Sequence, residues 1–168
     1  MTASHYIKSR QWKKAKQELL LMHLSSPNDM KILSKLGDVC KMIHQNNNAI
    51  QCYQRCINYD ENNFVYYYKM AILYHDLNQL NDAKIYYEKS LSHLTPNKGK
   101  NQQKHQRNLY FHYVQLLMRI DLISNYETIK KYFDILLNKF NPKIKPSASL
   151  HFNYAKLLFN KYYRFQSN

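Results

Sequence analysis

Glycine is almost missing from this chain. It has two in 168 residues, Gly37 and Gly99, alongside four prolines. β-Sandwiches and barrels need turn signals every few residues, and phosphate or dinucleotide loops need several glycines in a short window. The scarcity therefore argues against both and for a mostly helical chain. Long apolar runs are lacking too. The longest aliphatic ones, such as Leu19 to Met22, reach four residues, against the ~18 of a membrane span. Lys8 and Arg10 are followed by no apolar block, so a secretory signal peptide is not expected. Three cysteines are few and odd in number, which suits a reducing compartment. Acidic side chains are scarce, 11 against 25 Lys and Arg, for a net charge of +14.

What the chain does contain is a repeat. At an offset of 34 residues Leu36 maps to Met70, Gly37 to Ala71, Cys40 to Tyr74, Ala49 to Ala83, Tyr53 to Tyr87, Cys56 to Ser90 and Ile57 to Leu91. One period earlier, Ala49 maps to Ala15, Tyr53 to Leu19, Cys56 to Met22 and Cys40 to Tyr6. Small residues at positions 37/71 and 49/83 let two helices approach closely, and the aromatics at 53/87 fill the gap to the neighbouring unit. One such unit cannot bury its apolar face alone, so several must stack. Asn47 and Asn81 stand where the second helices should be capped.

In its Leu-Gly, its Ala, its following aromatic and its small residue, this pattern resembles the tetratricopeptide repeat family. The resemblance is strong over residues 6–97. It implies an all-α, right-handed α-solenoid of antiparallel helix pairs. The units expected are a partial first repeat (1–29), two full repeats (30–63 and 64–97) and a polar insert (98–107). A degenerate repeat (108–142) follows, its first helix near 108–120 and its second near 126–140, with Thr128, Tyr132 and Ile135 at core spacing. After a short linker, a final helix (147–168) would begin an incomplete unit. In this register the array starts and stops out of phase, and its end faces are expected to be covered by a partner, a second copy or further repeats.

The family implies function too: protein or peptide binding by a non-catalytic scaffold or adaptor within a larger assembly. The first helices would line the binding groove. Lys31, Ser34, Lys35, Asp38 and Lys41 would face it from one unit, and Val65, Tyr68, Lys69, Ile72 and His75 from the next. A ligand with an acidic end and an apolar anchor would suit such a surface. An equal reading has Tyr68 and Ile72 touching a neighbouring helix. The clamp by which some members grip a terminal carboxylate is not expected. One phase offers Ser34, Asp38 and Lys69, the other Ser4, Lys35, Val65 and Lys69, and neither supplies the Lys/Asn/Arg set.

The charge is unevenly placed. Residues 1–17, 89–120 and 135–168 hold five, six and six Lys/Arg and no acid, giving +17. The rest holds all eleven acids and eight bases, giving −3. The basic patches comprise Lys8, Arg10, Lys13 and Lys14; Lys98, Lys100, Lys104 and Arg107; and Lys161 and Arg164. Aromatics interleave with them around Arg107–Tyr113 and Lys161–Phe165. Such segments can bind RNA by phosphate contact and stacking, so a ribonucleoprotein solenoid is the alternative function. Against it, the aromatics are placed as helix core and the lysines as a solvated face; acidic protein surfaces are a third target.

No catalytic motif is present, and no cofactor or metal is expected. Cys40 and Cys56 fall at repeat core positions. Cys52, Cys56 and His44 are too few for a structural zinc site. The eight histidines (positions 5, 23, 44, 75, 93, 105, 112 and 151) show no metal-binding spacing. Localisation is read as cytoplasmic. Residues 1–17 also have the composition of a mitochondrial transit peptide, but the repeat register gives them a structural place.

Overall fold

The computed structural model describes residues 2–94 and 100–138, with the helical positions 152 and 155. The expected final helix therefore lies almost wholly outside the described residues. Among the described residues there are eight helices and no strand: α1 Ala3–Lys8, α2 Trp12–Ser25, α3 Met30–Met42, α4 Asn46–Tyr59, α5 Phe64–Asp76, α6 Leu80–Ser92, α7 Lys100–Ile120 and α8 Tyr126–Asn138. Two compact units form, one up to His93 and one from Leu94.

In the first unit, α1/α2, α3/α4 and α5/α6 are three antiparallel pairs joined as an α-solenoid. The turns within each pair repeat at 34 residues. Arg10, His44 and Asn78 take left-handed backbone with φ of 55°, 59° and 60°. Each is followed by a glutamine whose N–H closes the preceding helix. Gln11 donates to Tyr6 O at 2.8 Å, Gln45 to Cys40 O at 2.9 Å and Gln79 to Tyr74 O at 2.9 Å. This six-to-one closure satisfies carbonyls that a helix end leaves orphaned. It usually uses glycine, and these three turns make it without one.

The expected caps at Asn47 and Asn81 are displaced by this closure. Gln45 and Gln79 hold the cap positions, with no side-chain cap hydrogen bond. Side-chain caps occur instead where one pair passes to the next. Asp29 accepts from the N–H of Lys31 and Ile32, and Asn63 from that of Val65. At the far end of each pair, the Ser90 hydroxyl donates to Phe64 O at 2.8 Å and the Cys56 thiol to Met30 O at 3.6 Å. The residue choice at 56/90 is thus a donor as well as a small filler. Met22, at the same register position, is largely exposed.

Ala15, Ala49 and Ala83 are fully buried where paired helices touch. Gly37 is tighter still. A Cβ there would stand 2.6 Å from Tyr53 Cε1 and 2.9 Å from Cδ1. The Tyr53 ring is buried, and its hydroxyl donates to Asp38 Oδ1 at 2.8 Å, so it has little room to swing away. One repeat on, Ala71 replaces the glycine, and the Tyr87 hydroxyl lies 3.4 Å from His75 Nδ1 instead.

The second unit pairs α7 with α8. Helix α7 begins at Lys100, eight residues before the expected start, so most of the polar insert is helical. Its first turns are polar, but Gln106 is buried and donates to Tyr110 OH at 3.0 Å. The core phase of α8 also differs from expectation. Ile129, Phe133 and Leu136 are buried, whereas Thr128 is exposed and Tyr132 and Ile135 are half-buried. The i, i+4, i+7 apolar set overrides the repeat register here, because burying Phe133 removes more apolar area than burying Tyr132. Asp121 organises the turn, accepting from the N–H of Ile123 and Ser124.

Two stability predictions follow from these contacts. Gly37→Ala should destabilise the fold by about 1–2 kcal/mol despite alanine's better helix propensity, because overpacking against Tyr53 outweighs it. His44→Gly should stabilise it by about 0.5–1 kcal/mol, by relieving a side chain held at positive φ. Urea denaturation of both variants reads the opposite signs directly; the same sign for both would contradict these packing assignments.

Candidate functional site

Positions spaced i, i+4, i+7, i+11 along a helix form one stripe. On α3 the outward stripe is Lys31, Lys35, Asp38 and Met42. At the 34-residue offset, α5 presents Val65, Lys69, Ile72 and Asp76. These are the first-helix positions of two successive repeats. The structure joins them through side chains. Lys69 Nζ donates to Asp38 Oδ2 at 2.6 Å and to Ser34 Oγ at 2.7 Å. Lys41 Nζ pairs with Asp76 Oδ2 at 2.9 Å.

Asp38 is the centre of this network. One carboxylate oxygen takes the Lys69 ammonium and the other takes the Tyr53 hydroxyl. Burial, reinforced by the Asp38 charge, pushes the Tyr53 phenol well above its ordinary range and keeps it a donor. Ser34, buried beneath, accepts a second bond from the Lys69 ammonium. The network ties α3, α4 and α5 together.

The pairing leaves a different surface from the one the residue types suggest. Asp38, Lys41 and Lys69 are engaged with one another's repeats. Lys31 and Lys35 are exposed and make no ion pair among the described residues. Val65 and Ile72 are half-buried. Tyr68 is corrected from groove residue to core: it is 4% exposed and packs 6.3 Å from the Tyr87 ring. It occupies the register position of Ser34, which is also buried. His75 is half-buried, edge-on to Tyr87.

Of the basic patches, Lys8, Arg10, Lys13 and Lys14 are all exposed. Arg10 is also a left-handed turn residue, and Lys14 Nζ lies 5.9 Å from the Tyr6 ring centre. Lys104 is exposed and Arg107 half-buried; Lys100 starts α7. Lys98, Lys161 and Arg164 lie outside the described residues. The aromatics beside Arg107 are largely core. Tyr110 stacks on Tyr132 at 5.2 Å and Tyr113 meets it edge-on at 5.5 Å.

Cys40, Cys52 and Cys56 are buried free thiols. A hydrogen bond from Cys52 draws the Cys40 thiol down to about 7 against its burial. Burial pushes Cys56 up to about 11. Among the described residues, no group of three or more His, Cys, Asp or Glu is disposed to hold a metal, and no helix is long and apolar enough to cross a membrane.

The residues that sequence reasoning missed are Tyr53 as a donor to Asp38, and Asp76. A double-mutant cycle on Lys69→Met and Asp38→Asn measures the inter-repeat tie. The half-exposed pair should couple by about 1 kcal/mol in chemical denaturation; additive effects would mean the repeats are held by packing alone.

Tetratricopeptide repeat profiles match this chain at residues 31–63 and 52–85. No curated sequence matches it significantly. A tetratricopeptide repeat protein from Parabacteroides merdae shares its fold at a TM-score of 0.68 and 16% identity, over 92% of this chain and 56% of that one. PilF of Pseudomonas aeruginosa does so at 0.65 and 14%, over 92% and 63%. YrrB, a TPR protein with an unusual peptide-binding site, does so at 0.61 and 15%, over 92% and 71%. The chain thus spans less than two thirds of the first two. At these identities the likeness is one of fold. Tetratricopeptide repeats serve in general as protein-interaction scaffolds and are generally non-catalytic. With turns, caps and small-residue contacts recurring at 34 residues and two repeat models matching across residues 31–85, that stretch of the chain consists of tetratricopeptide repeats.

Proposed function

We propose that this protein is a non-catalytic scaffold, one component of a larger assembly, whose first-helix face binds an acidic peptide segment of a partner protein. The observation that carries this reading is the uncompensated pair Lys31 and Lys35. The acids of the two stripes, Asp38 on α3 and Asp76 on α5, are taken up by Lys69 and Lys41. The face therefore keeps net positive charge beside the apolar side chains of Val65 and Ile72. Charge of this kind steers an acidic partner, and the apolar positions supply anchorage. A reducing compartment, cytoplasmic or organellar, suits three buried thiols.

The RNA-binding alternative retains the basic patches. Its stacking platform is weakened, because Tyr110 and Tyr113 are turned into the α7/α8 contact.

Affinity purification from the native source, read by mass spectrometry, identifies the partner. Lys31→Glu with Lys35→Glu should weaken that partner's binding at least tenfold, with unchanged helix content by circular dichroism. Undiminished binding would refute the first-helix face as the site. An RNA titration across salt tests the alternative: a steep fall of log K with log salt supports it, and a flat or absent response removes it.

A further inference from the structure

Helix α2 carries apolar side chains on the side that faces away from its partners. Ala15 and Leu19 are buried against the unit. Leu20, Leu21 and Leu24 point outward and are 41%, 61% and 76% exposed. They belong to one stripe with Gln17, at i, i+3, i+4 and i+7, and Lys13 and Lys14 continue it toward the helix start, both exposed.

The register shows that this face is an outer surface of the fold. Leu20, Leu21 and Leu24 map to Gln54, Arg55 and Asn58 on α4, and to Glu88, Lys89 and Ser92 on α6. All six of those residues are exposed. Helix α4 has helix pairs on both sides and still exposes these positions, so a further repeat stacked before α1 would leave the leucines uncovered. Polar residues stand there in two repeats and leucines in one. Contiguous apolar surface of this kind marks a contact with something else.

The stripe borders a cleft of about 280 Å³ between α2 and α4. Its floor includes the buried Leu36, Cys40 and Cys52, and its rim includes Lys16, Leu20 and Arg55. Leu20 thus joins the cleft to the stripe. Across α2 and α4 the cations are Lys13, Lys14, Lys16 and Arg55, and the sole acid is Glu18.

We propose that the outer face of α2, with the cleft it forms against α4, is a second protein-docking site that takes an acidic amphipathic helix. One apolar side chain of the incoming helix enters the cleft, the next ones cover Leu21 and Leu24, and its acids meet Lys13, Lys14 and Arg55. The cleft favours a side chain over a lipid surface, since a concave pocket is filled by a discrete group. The charge disfavours self-occupancy. A second copy brings another +14, and residues 135–168 contain no acid. The site lies on second helices and is independent of the first-helix face.

The test is to pan random 16-residue peptides displayed on phage against the full chain, then measure synthetic versions by fluorescence anisotropy. The expected winners carry Asp or Glu together with Leu, Phe or Met at i, i+3 or i+4. Leu21→Asp with Leu24→Asp should weaken them at least tenfold, while Lys31→Glu with Lys35→Glu changes them less than twofold. Lys13→Glu with Lys14→Glu should also weaken them, which keeps the test decisive if the leucine variant melts early by circular dichroism. Enriched peptides indifferent to both α2 variants would overturn the proposal. So would leucine-dependent binding to phosphatidylserine vesicles without peptide binding, or leucine-dependent self-association in sedimentation.

Discussion

With no Cβ on Gly37, the Tyr53 ring packs directly against α3, and its hydroxyl reaches Asp38. The consequences run outward from that contact. Asp38, held by the phenol on one oxygen, presents the other to Lys69 of the next repeat. The glycine of the second repeat therefore governs both how closely α3 and α4 pack and how α3 is tied to α5. In the third repeat Ala71 takes the glycine's place, Ile72 replaces the aspartate, and the Tyr87 hydroxyl meets His75. Two repeats with the same backbone thus carry different polar wiring, decided by one methyl group and one carboxylate.

The same linkage shapes the charge of the exposed faces. Ion pairs between stripes consume the acids of the first-helix face and leave Lys31 and Lys35 uncompensated. On the second-helix side the contrast lies between repeats: two are polar at the outer positions and one is leucine-rich. A solenoid whose units share a backbone can vary its surfaces unit by unit, because each unit contacts only its neighbours. Binding surfaces on such an array are read from departures from the repeat rather than from the repeat itself.

Much of the architecture was legible in the residues. The small contacts at Ala49 and Ala83 and the aromatics at Tyr53 and Tyr87 all follow from a 34-residue offset. The helix-closing glutamines at 11, 45 and 79 follow the same offset, but Arg, His and Asn stand in the left-handed position usually marked by glycine, so the residue types do not signal the closure. Tyr68 was open to two readings, yet its register partner Ser34 is equally buried. The α8 phase departs from the repeat register because the repeat there is degenerate, and the apolar periodicity of Ile129, Phe133 and Leu136 is the stronger signal.

The sequence by itself determined the helical class, the period and the core of the first three pairs, since these depend on local spacing and on contacts that recur at a fixed offset. Only the tertiary structure decided which charges are spent and which are free. Lys69 meets Asp38 across 31 positions, and Lys41 meets Asp76 across 35, neither at the repeat offset, because side chains of adjacent helices reach diagonally. The near absence of glycine likewise has a specific meaning among the described residues: the turns at Arg10, His44 and Asn78 are built without it, and Gly37 stands at a helix contact where an added Cβ would meet the Tyr53 ring.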